Sequence, residues 1–374
     1  MSQPSQNDGH HSQHTLAIPE VDATCYTTKL LSRVRGLLSR QSAPKRVFPR
    51  LPQTQLERRE ASLTEKPLDA TSLEPSDIRA AEEKHKTVLY LAYGSNLCNE
   101  TFRGVRGIRP LSQINVVVPS LRLTFDLPGI PYNEPCFANS AVRDTESKSR
   151  RVGKTDYHKD RWHKGMVGCV YEVTVRDYAH IIATEGGGAS YEDVLVDCYP
   201  LEESSDVVPS EPTTEVFKAH TLFAPATPST ATRSATSRLT RPDPSYAQPS
   251  PRYLKLITDG ATELSLPREY QAYLHDIRTY KVTSRRQAIG KALFTTIWMP
   301  ILMMVFSLGK IFQDKHGRNP KWLSTVFGWL FIGMWTFYDG GFSSVFGDGE
   351  RTDGDTADDN IVDGYKDDEP KGNV

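Results

Sequence analysis

The sequence predicts an α+β fold, and three observations lead to this prediction. Short apolar runs rich in β-forming residues are bounded by turn-forming residues, and the first of these runs is Thr87–Ala92. Segments with helical spacing of apolar residues lie between and after these runs, as at Val175–Thr184. Two uncharged segments, 292–309 and 322–338, predict a pair of long hydrophobic helices.

Length and composition limit the number of domains and the class of partner. The chain has 374 residues, enough for two domains of ordinary size, and a formal net charge of -1. Because Pro, Ser, Thr and charged residues cluster in blocks, we expect one folded domain between polar segments. The near-neutral net charge gives no indication of nucleic-acid binding. Five cysteines without a Cys-x-x-Cys pair favour reduced thiols in the cytosol over a zinc site or a disulfide framework.

The N-terminal region 1–86 is mostly polar and rich in Pro and Ser, so we expect it to be disordered. Within it, 23–55 contains no acidic residue, and its leucines recur at helical spacing beside Lys and Arg. This basic amphipathic segment has two interpretations. It is either a helix that binds an anionic membrane or targets an organelle, or a solvated basic tail.

The folded domain is expected to span 87–280. After the first strand, further strands are predicted at 114–118, 121–125, 137–140, 165–175, 191–198 and 216–223. Helices are predicted at 252–260 and 267–280, and the Pro-, Ser- and Thr-rich stretch 224–251 is predicted to be a long loop.

The C-terminal region changes character at about residue 288. We expect 288–340 to form a hydrophobic hairpin that associates with a membrane through 292–338, because a helix without a polar face must be buried on every side. Burial as core helices is the alternative. Basic residues on both sides of the first helix favour a shallow hairpin over a full span. We expect 347–374 to be a disordered acidic tail, and a chain ending before Ala288 to be soluble and active.

The turn after the first strand is the first candidate binding site. It reads Tyr-Gly-Ser-Asn-Leu at 93–97, and Gly94 permits backbone angles that are closed to other residues. A Gly turn at the end of a buried strand presents backbone N–H groups, which suit an anionic or carbonyl oxygen. An ordinary polar turn explains these residues equally well.

Glu185 is the strongest candidate for a catalytic residue. It follows the predicted helix Val175–Thr184 and precedes three glycines at 186–188, so no side chain screens it from a ligand. In an apolar cavity, desolvation would raise the pKa of this carboxyl toward that of a useful general base. The alternative is an acid at a helix end beside a flexible turn.

Together these segments resemble the γ-glutamylcyclotransferase family. The matching motifs are the turn at 93–97, Glu185 followed by Tyr191, the Pro-Ser-Pro-Arg-Tyr segment at 249–253 and the closing helix near 266–270. The similarity covers 88–280. Long loops at 144–163 and 224–245, and the triple glycine, depart from the family pattern and leave the choice of substrate open.

The resemblance implies a compact mixed β-barrel with helices around it and a defined set of site residues. It implies Glu185 as catalytic acid and base, and Tyr93, Gly94, Ser95, Asn96, Leu97, Tyr191 and Tyr253 as substrate-binding residues. The implied reaction is release of 5-oxoproline from a γ-glutamyl amide by intramolecular aminolysis, which a lyase or acyltransferase of glutathione metabolism performs. It requires no metal and no cofactor. The implied partner is a γ-glutamyl small molecule. Because the cysteine pattern favours reduced thiols, we expect the catalytic domain to face the cytosol.

Two other functions remain open from the sequence. A tailoring enzyme that removes γ-glutamyl groups from glutathione conjugates in secondary metabolism would carry the same residues. A non-catalytic membrane scaffold with the same fold would not need Glu185, which weakens that alternative. Competing motifs are weak, because Ser95 lacks a Gly-x-Ser-x-Gly context and His158 and His163 lie in a charged loop without a third metal ligand.

Overall fold

The structure of the protein is a computed structural model that describes most of the chain. The described residues are 46–68, 75–143, 159, 161–184, 192–202, 205–223, 241–243, 245–312 and 320–354. The chain divides into two compact units, Met1–Phe48 and Pro49–Val374. Of the first unit, 46–48 are described and have no regular secondary structure. Most of the predicted basic segment 23–55 therefore lies outside the described residues.

Strands of the second unit form a closed sheet and a separate ribbon. The strands in the described residues are β1 (Thr87–Ala92), β2 (Ser112–Val118), β3 (Leu121–Ile130), β4 (Glu134–Val142), β5 (Met166–Thr174), β6 (Glu192–Pro200) and β7 (Phe217–Phe223). Five pair in the order β1-β5-β2-β6-β7, and β7 returns to β1 in parallel at Tyr90 and His220, which closes the sheet into a barrel. The remaining pairs are antiparallel, and β3 and β4 pair with each other as a two-stranded ribbon.

Helices surround the sheet and continue beyond it. Those in the described residues are α1 (Leu56–Ser62), α2 (Pro75–Glu83), α3 (Val175–Thr184), α4 (Pro251–Glu263), α5 (Arg268–Asp276), α6 (Arg285–Phe312), α7 (Lys321–Phe337) and α8 (Ser343–Phe346). Because a mixed sheet is combined with helices and the strands do not alternate regularly with helices, the α+β prediction is confirmed.

The apolar core lies against the closed sheet. β5 sits between β1 and β2, and its first six residues are all buried. β1 is buried from Val88 to its end. A strand that is covered on both faces has a continuous apolar sequence rather than one that alternates between apolar and polar residues. This is why both strands stand out in the sequence.

The segment before β1 corrects the prediction of disorder for 1–86. Thr54 Oγ1 lies 3.0 Å from Ser112 Oγ of β2. Arg58 of α1 donates from Nε to Thr87 Oγ1 over 2.8 Å. The described residues from Pro49 onward thus belong to the folded unit. They contact the domain through polar side chains such as these and through a few apolar ones such as Ile78, so their mostly polar composition predicts disorder.

Two apolar helices lie where the sequence predicts them. The rings of Phe306 and Phe327 are 5.3 Å apart and those of Phe312 and Trp322 are 5.4 Å apart, so α6 and α7 run antiparallel beside each other. The stretch Arg285–Gly309 is long and apolar enough to cross a membrane. Core helices of soluble proteins share that property, so membrane association remains a prediction at this point.

The start of α6 and the end of α7 pack on the β3–β4 ribbon. This contact corrects the prediction that 87–280 and 288–340 are separate domains. Trp335 is buried, and its Nε1 donates to Gly129 O over 3.1 Å. Tyr132, at the tip of the ribbon, is also fully buried, and its ring contacts Phe294 with centroids 5.7 Å apart. The ribbon and the helix pair therefore share one apolar cluster.

The first residues of the predicted acidic tail are also packed rather than solvated. Glu350 is 5% exposed and pairs with Arg241 at 2.5 Å. The N–H of Tyr132 donates to Gly349 O over 2.8 Å, and the N–H of Gln248 donates to Glu350 O over 2.9 Å. The prediction of a tail at 347–374 is therefore wrong for 347–352, because these acidic and backbone groups have partners. Residues 355–374 lie outside the described part.

Candidate active site

A pocket lies at the end of β1, where that strand meets β4, β7 and α4. Its lining consists of Tyr90, Tyr93, Gly94, Ser95, Asn96, Ala138, Thr221, Leu222 and Tyr253. The structure thus brings together most of the residues that the sequence predicted for substrate binding, namely Tyr93, Gly94, Ser95, Asn96 and Tyr253.

Residues 93–97 form a tight turn directly after β1, which we call the signature turn. Ser95–Leu97 is one turn of 3-10 helix, in which the N–H of Leu97 donates to Gly94 O over 3.0 Å. Among the described residues, no acceptor is found for the N–H groups of Gly94 and Ser95. Two of the predicted backbone donors are therefore unpaired within the described part of the chain, whereas that of Leu97 is used within the turn.

Gly94 lies where β4 and α4 come close to the turn. Its φ is -108°, outside the left-handed region that favours glycine. What the glycine provides is space, because a Cβ atom there would lie 3.5 Å from Ala138 Cβ and 3.6 Å from Tyr253 Oη. A larger side chain at this position would extend into the pocket.

The structure does not bring Leu97 to the pocket. Its side chain is fully buried in the core, and its backbone lies directly against α4. Leu97 therefore positions the signature turn by packing, and its predicted contact with substrate has no counterpart in the pocket lining.

Hydrogen bonds hold the signature turn against the sheet. Asn96 is buried, and its Nδ2 donates to Tyr90 Oη over 2.8 Å. Tyr93 Oη donates to Leu222 O of β7 over 3.4 Å. These bonds tie the turn to both strands that flank the pocket, so its polar wall is fixed before a ligand binds.

Tyr253 reaches the pocket from the first turn of α4. Ser250 caps this helix by accepting the N–H of Tyr253 over 3.0 Å, and Pro251 begins it. Tyr253 Oη accepts the N–H of Ala138 over 3.1 Å, and its ring meets that of Phe137 edge-on with centroids 5.0 Å apart. The Pro-Ser-Pro-Arg-Tyr motif therefore works as a helix start that places a tyrosine against β4.

Sequence reasoning missed four lining residues: Tyr90, Ala138, Thr221 and Leu222. Thr221 is fully buried, and no partner for its hydroxyl oxygen is found in the part of the chain that is described. Burying a hydroxyl without a hydrogen bond is costly, so this group is suited to a ligand. Its position in an ordinary strand pattern gives no signal in the sequence.

A buried ionic cluster lies beside the pocket wall. His220 precedes Thr221 on β7, and its ring nitrogens lie 2.9 Å from Asp193 Oδ2 and 3.2 Å from Glu65 Oε2. Tyr178 Oη of α3 donates to the same Asp193. Burial alone lowers the pKa of His220, but the hydrogen bonds and charges of Asp193 and Glu65 raise it from 6.5 to about 9. The cluster joins α3, β6 and β7 to the segment after α1.

Glu185 and Tyr191 lie outside the described residues, so the structure assigns no position to either side chain. The described residues on either side are Thr184, which ends α3, and Glu192, which begins β6. Glu192 pairs with Phe223 at the end of β7, the strand that lines the pocket.

The described cysteines do not resemble nucleophiles. Cys98, Cys136, Cys169 and Cys198 are buried free thiols. Burial raises the pKa of Cys136 and of Cys169 to about 12, which disfavours the reactive thiolate. Within the described ranges, no group of three or more His, Cys, Asp and Glu side chains could hold a metal ion.

Comparison with known proteins finds relatives with a common description. The chain is 32% identical over 273 residues to the γ-glutamyl cyclotransferase gliK of Aspergillus fumigatus, which covers 72% of this chain and 92% of that relative. It is 30% identical over 275 residues to the γ-glutamyl cyclotransferase aclK of Aspergillus oryzae, again covering 72% of this chain and 92% of that relative. Residues 284–345 match the family model described as the AclK C-terminal domain.

A solved structure named γ-glutamyl cyclotransferase is similar at a TM-score of 0.36 and 18% identity, covering 54% of this chain and 93% of that chain. The relationship rests on sequence identity across nearly the whole length of gliK and aclK. On that basis, this chain belongs to the γ-glutamyl cyclotransferase family.

Proposed function

We propose that this protein releases 5-oxoproline from γ-glutamyl amides by intramolecular aminolysis, with Glu185 as the general acid and base. Family membership supports the general activity. The observation that carries the finer proposal is the position of the signature turn. It forms a wall of the pocket, with two available backbone donors close to the Tyr253 hydroxyl.

The proposed reaction balances without an external reagent. The Glu185 carboxylate takes a proton from the α-ammonium group of the substrate, and the freed amine attacks the γ-carbonyl carbon. A new C–N bond closes the five-membered ring, and the carbonyl oxygen becomes an oxyanion. When this intermediate collapses, the C–N bond to the leaving amine breaks. The two protons lost by the α-ammonium group pass through Glu185 to the leaving amine.

The signature turn suits the charge that develops in this reaction. The N–H groups of Gly94 and Ser95 provide adjacent donors for the oxyanion or for the substrate α-carboxylate. Removing one donor of this kind costs about 2.7–4 kcal/mol of transition-state stabilisation in a water-excluded site. The hydrogen bonds of Asn96 and Tyr93 help to keep these donors oriented, which reduces the reorganisation needed during the reaction.

The elements that flank Glu185 support its assignment to this pocket. Tyr178 of α3 contacts the pocket residue Tyr90, with ring centroids 6.0 Å apart. On the other side, Glu192 of β6 pairs with Phe223 of the pocket-lining strand. The connection that carries Glu185 and Tyr191 therefore joins two elements that both contact the pocket strands.

The experiment that tests this function measures 5-oxoproline from the full chain and a panel of γ-glutamyl compounds, glutathione conjugates included. Glu185→Gln keeps the shape of the side chain and removes its basicity, so we expect turnover to fall about 10²–10⁴-fold without loss of folding. Glu202→Gln, at an exposed carboxylate, is the control and should retain turnover. Unchanged turnover in Glu185→Gln would exclude this residue. No 5-oxoproline from any compound would favour a non-catalytic role.

A further inference from the structure

An apolar stripe runs along the outer side of α6, facing away from the domain. Its members are Ile289, Leu293, Ile297, Met304 and Ile311, which are exposed by 56%, 44%, 45%, 58% and 71%. At about 100° of rotation per residue, these five positions fall within an arc of about 80°. The stripe is about 33 Å long at a rise of about 1.5 Å per residue. These five residues therefore form one continuous face, and Met303, Phe306 and Phe312 of the same helix are exposed outside it.

The neighbouring helix has a similar stripe. Trp322, Val326, Trp329 and Phe337 of α7 are exposed and fall within an arc of about 80°, although the rings of Trp322 and Phe337 also contact α6. Tryptophan is enriched where a protein meets the boundary between headgroups and acyl chains. Exposed apolar surface of this extent is rare on monomeric soluble proteins and marks an interaction surface.

The hydroxyl groups near the α6 stripe are satisfied within the helix itself. Thr296 Oγ1 donates to Ala292 O over 2.8 Å, and Ser307 Oγ donates to Met303 O over 2.7 Å. A hydroxyl that bonds to the carbonyl four residues earlier needs no water or partner group. The stripe can therefore enter an apolar medium without leaving these donors unpaired.

Cationic residues lie near both ends of the stripe. Arg285 and Lys291 are exposed near its start, and Lys310 comes directly before its last residue. The stretch 292–309 between them has no charged residue. This arrangement of an uncharged stripe between cations complements an anionic headgroup layer above an apolar interior.

The packing of the helix pair opposes a full span. Asn133 Nδ2 of the ribbon donates to Thr295 Oγ1 over 2.9 Å. Arg241 pairs with Asp339 and Glu350 and stacks over Trp335 at 4.0 Å. If α6 crossed the bilayer from residue 292, these polar and charged groups would lie at the depth of the hydrocarbon, which is strongly unfavourable.

We propose that α6 and α7 lie in the plane of a phospholipid bilayer, with the α6 stripe in the boundary between headgroups and acyl chains. The occupant of the stripe is lipid, and neither helix crosses the bilayer. This inference does not depend on the proposed catalytic reaction.

Flotation of the purified full chain with vesicles tests this proposal. We expect the wild-type protein to float with phosphatidylcholine vesicles, and more so when phosphatidylserine is included. The variant Leu293→Gln, Ile297→Gln, Met304→Gln should float at least about tenfold less, because apolar burial scales with area. Its thermal unfolding should match the wild type. A control with Val105→Gln and Val207→Gln, which are at least as exposed but off the stripe, should float like the wild type.

Other flotation results would contradict the proposal. The proposal is wrong if wild-type protein does not float with either vesicle, or if the stripe variant floats as well as the wild type. A wild-type dimer in solution that the stripe variant dissociates, without flotation of either, would assign the stripe to a second copy instead.

A second measurement separates the in-plane arrangement from a span. In a Cys25→Ser background, Lys315→Cys is labelled with an impermeant maleimide added outside the vesicles. We expect labelling of the vesicle-bound protein, because the four described cysteines are buried and neither helix crosses the bilayer in this arrangement. Protection of Lys315→Cys until detergent is added would contradict the in-plane arrangement.

Discussion

A Cβ atom on Gly260 would lie 2.4 Å from the carbonyl carbon of Leu97 and 2.5 Å from the backbone nitrogen of Cys98. α4 therefore touches the backbone of the signature turn without space for a side chain. Because the same helix carries Tyr253, this contact fixes two walls of the pocket relative to each other.

Replacing Gly260 tests this contact. We expect Gly260→Ala to destabilise the protein by about 1–3 kcal/mol through overpacking, although alanine improves intrinsic helix propensity by about 1 kcal/mol. Activity should fall as well, because the turn must shift. Urea unfolding and 5-oxoproline release measure both effects. Gly328→Ala in α7 is the control, since a Cβ there meets nothing within 4 Å. Equal stability and activity of the two variants would contradict the tight contact.

The buried hydroxyl of Thr221 is expected to bind substrate. Thr221→Val keeps the shape and removes the hydroxyl, which has no partner among the described residues. We expect KM to rise about fivefold, corresponding to a hydrogen bond worth about 1 kcal/mol, with no loss of stability. Thr221→Ser should restore KM. If Thr221→Val unfolds more readily and KM is unchanged, the hydroxyl has a structural role instead.

The ionic cluster predicts a pH dependence of stability. The pKa of His220 is raised from 6.5 to about 9, so the protonated ring stabilises the folded state. Its contribution, on the order of 3 kcal/mol, is complete below about pH 6.5 and is lost as pH rises through about 9. Urea unfolding at pH values across this range should show the loss. His220→Gln should flatten it, whereas His275→Gln, at an exposed histidine, should not.

The shared cluster predicts that the C-terminal helices are needed for stability. Trp335 is 1% exposed and bonds to Gly129 O, so Trp335→Ala should cost about 3–5 kcal/mol of unfolding free energy. Trp329→Ala, at a side chain 57% exposed, is the matched control and should cost little. Equal unfolding curves for the two variants would show that the cluster does not support the domain.

The same cluster changes the expectation for truncation. A chain ending before Ala288 loses the partners of Tyr132 and Arg241, so we now expect it to aggregate rather than to remain soluble and active. A chain ending at Gly354 keeps every described contact and should behave like the full chain in unfolding experiments.

Local patterns predicted much of the fold. β1 and α3 have the bounds that the sequence predicts, because a continuous apolar run and a helical period are properties of neighbouring residues. The signature turn and Tyr253 were predicted through motif resemblance, and the pocket contains both.

The features that could not be predicted from the sequence depend on contacts between segments that are distant along the chain. Thr221 is distinguished by what surrounds its hydroxyl, and no pattern along β7 encodes this. Arg58 and Glu350 look like ordinary surface charges until their partners Thr87 and Arg241 are known. Polar composition therefore predicted disorder at both ends of the domain where specific hydrogen bonds produce order.

The helix pair extends from the domain, and hydrogen bonds join the chain segments at which the pair begins and ends. Gln287 Nε2, near the start of α6, donates to Asp348 O over 2.9 Å. Tyr132 bonds to the same returning segment through Gly349. A protease cut between Phe312 and Pro320 would therefore leave two fragments held together without a covalent link. Under native conditions they should migrate as one particle, and they should separate when denaturant dissolves the cluster.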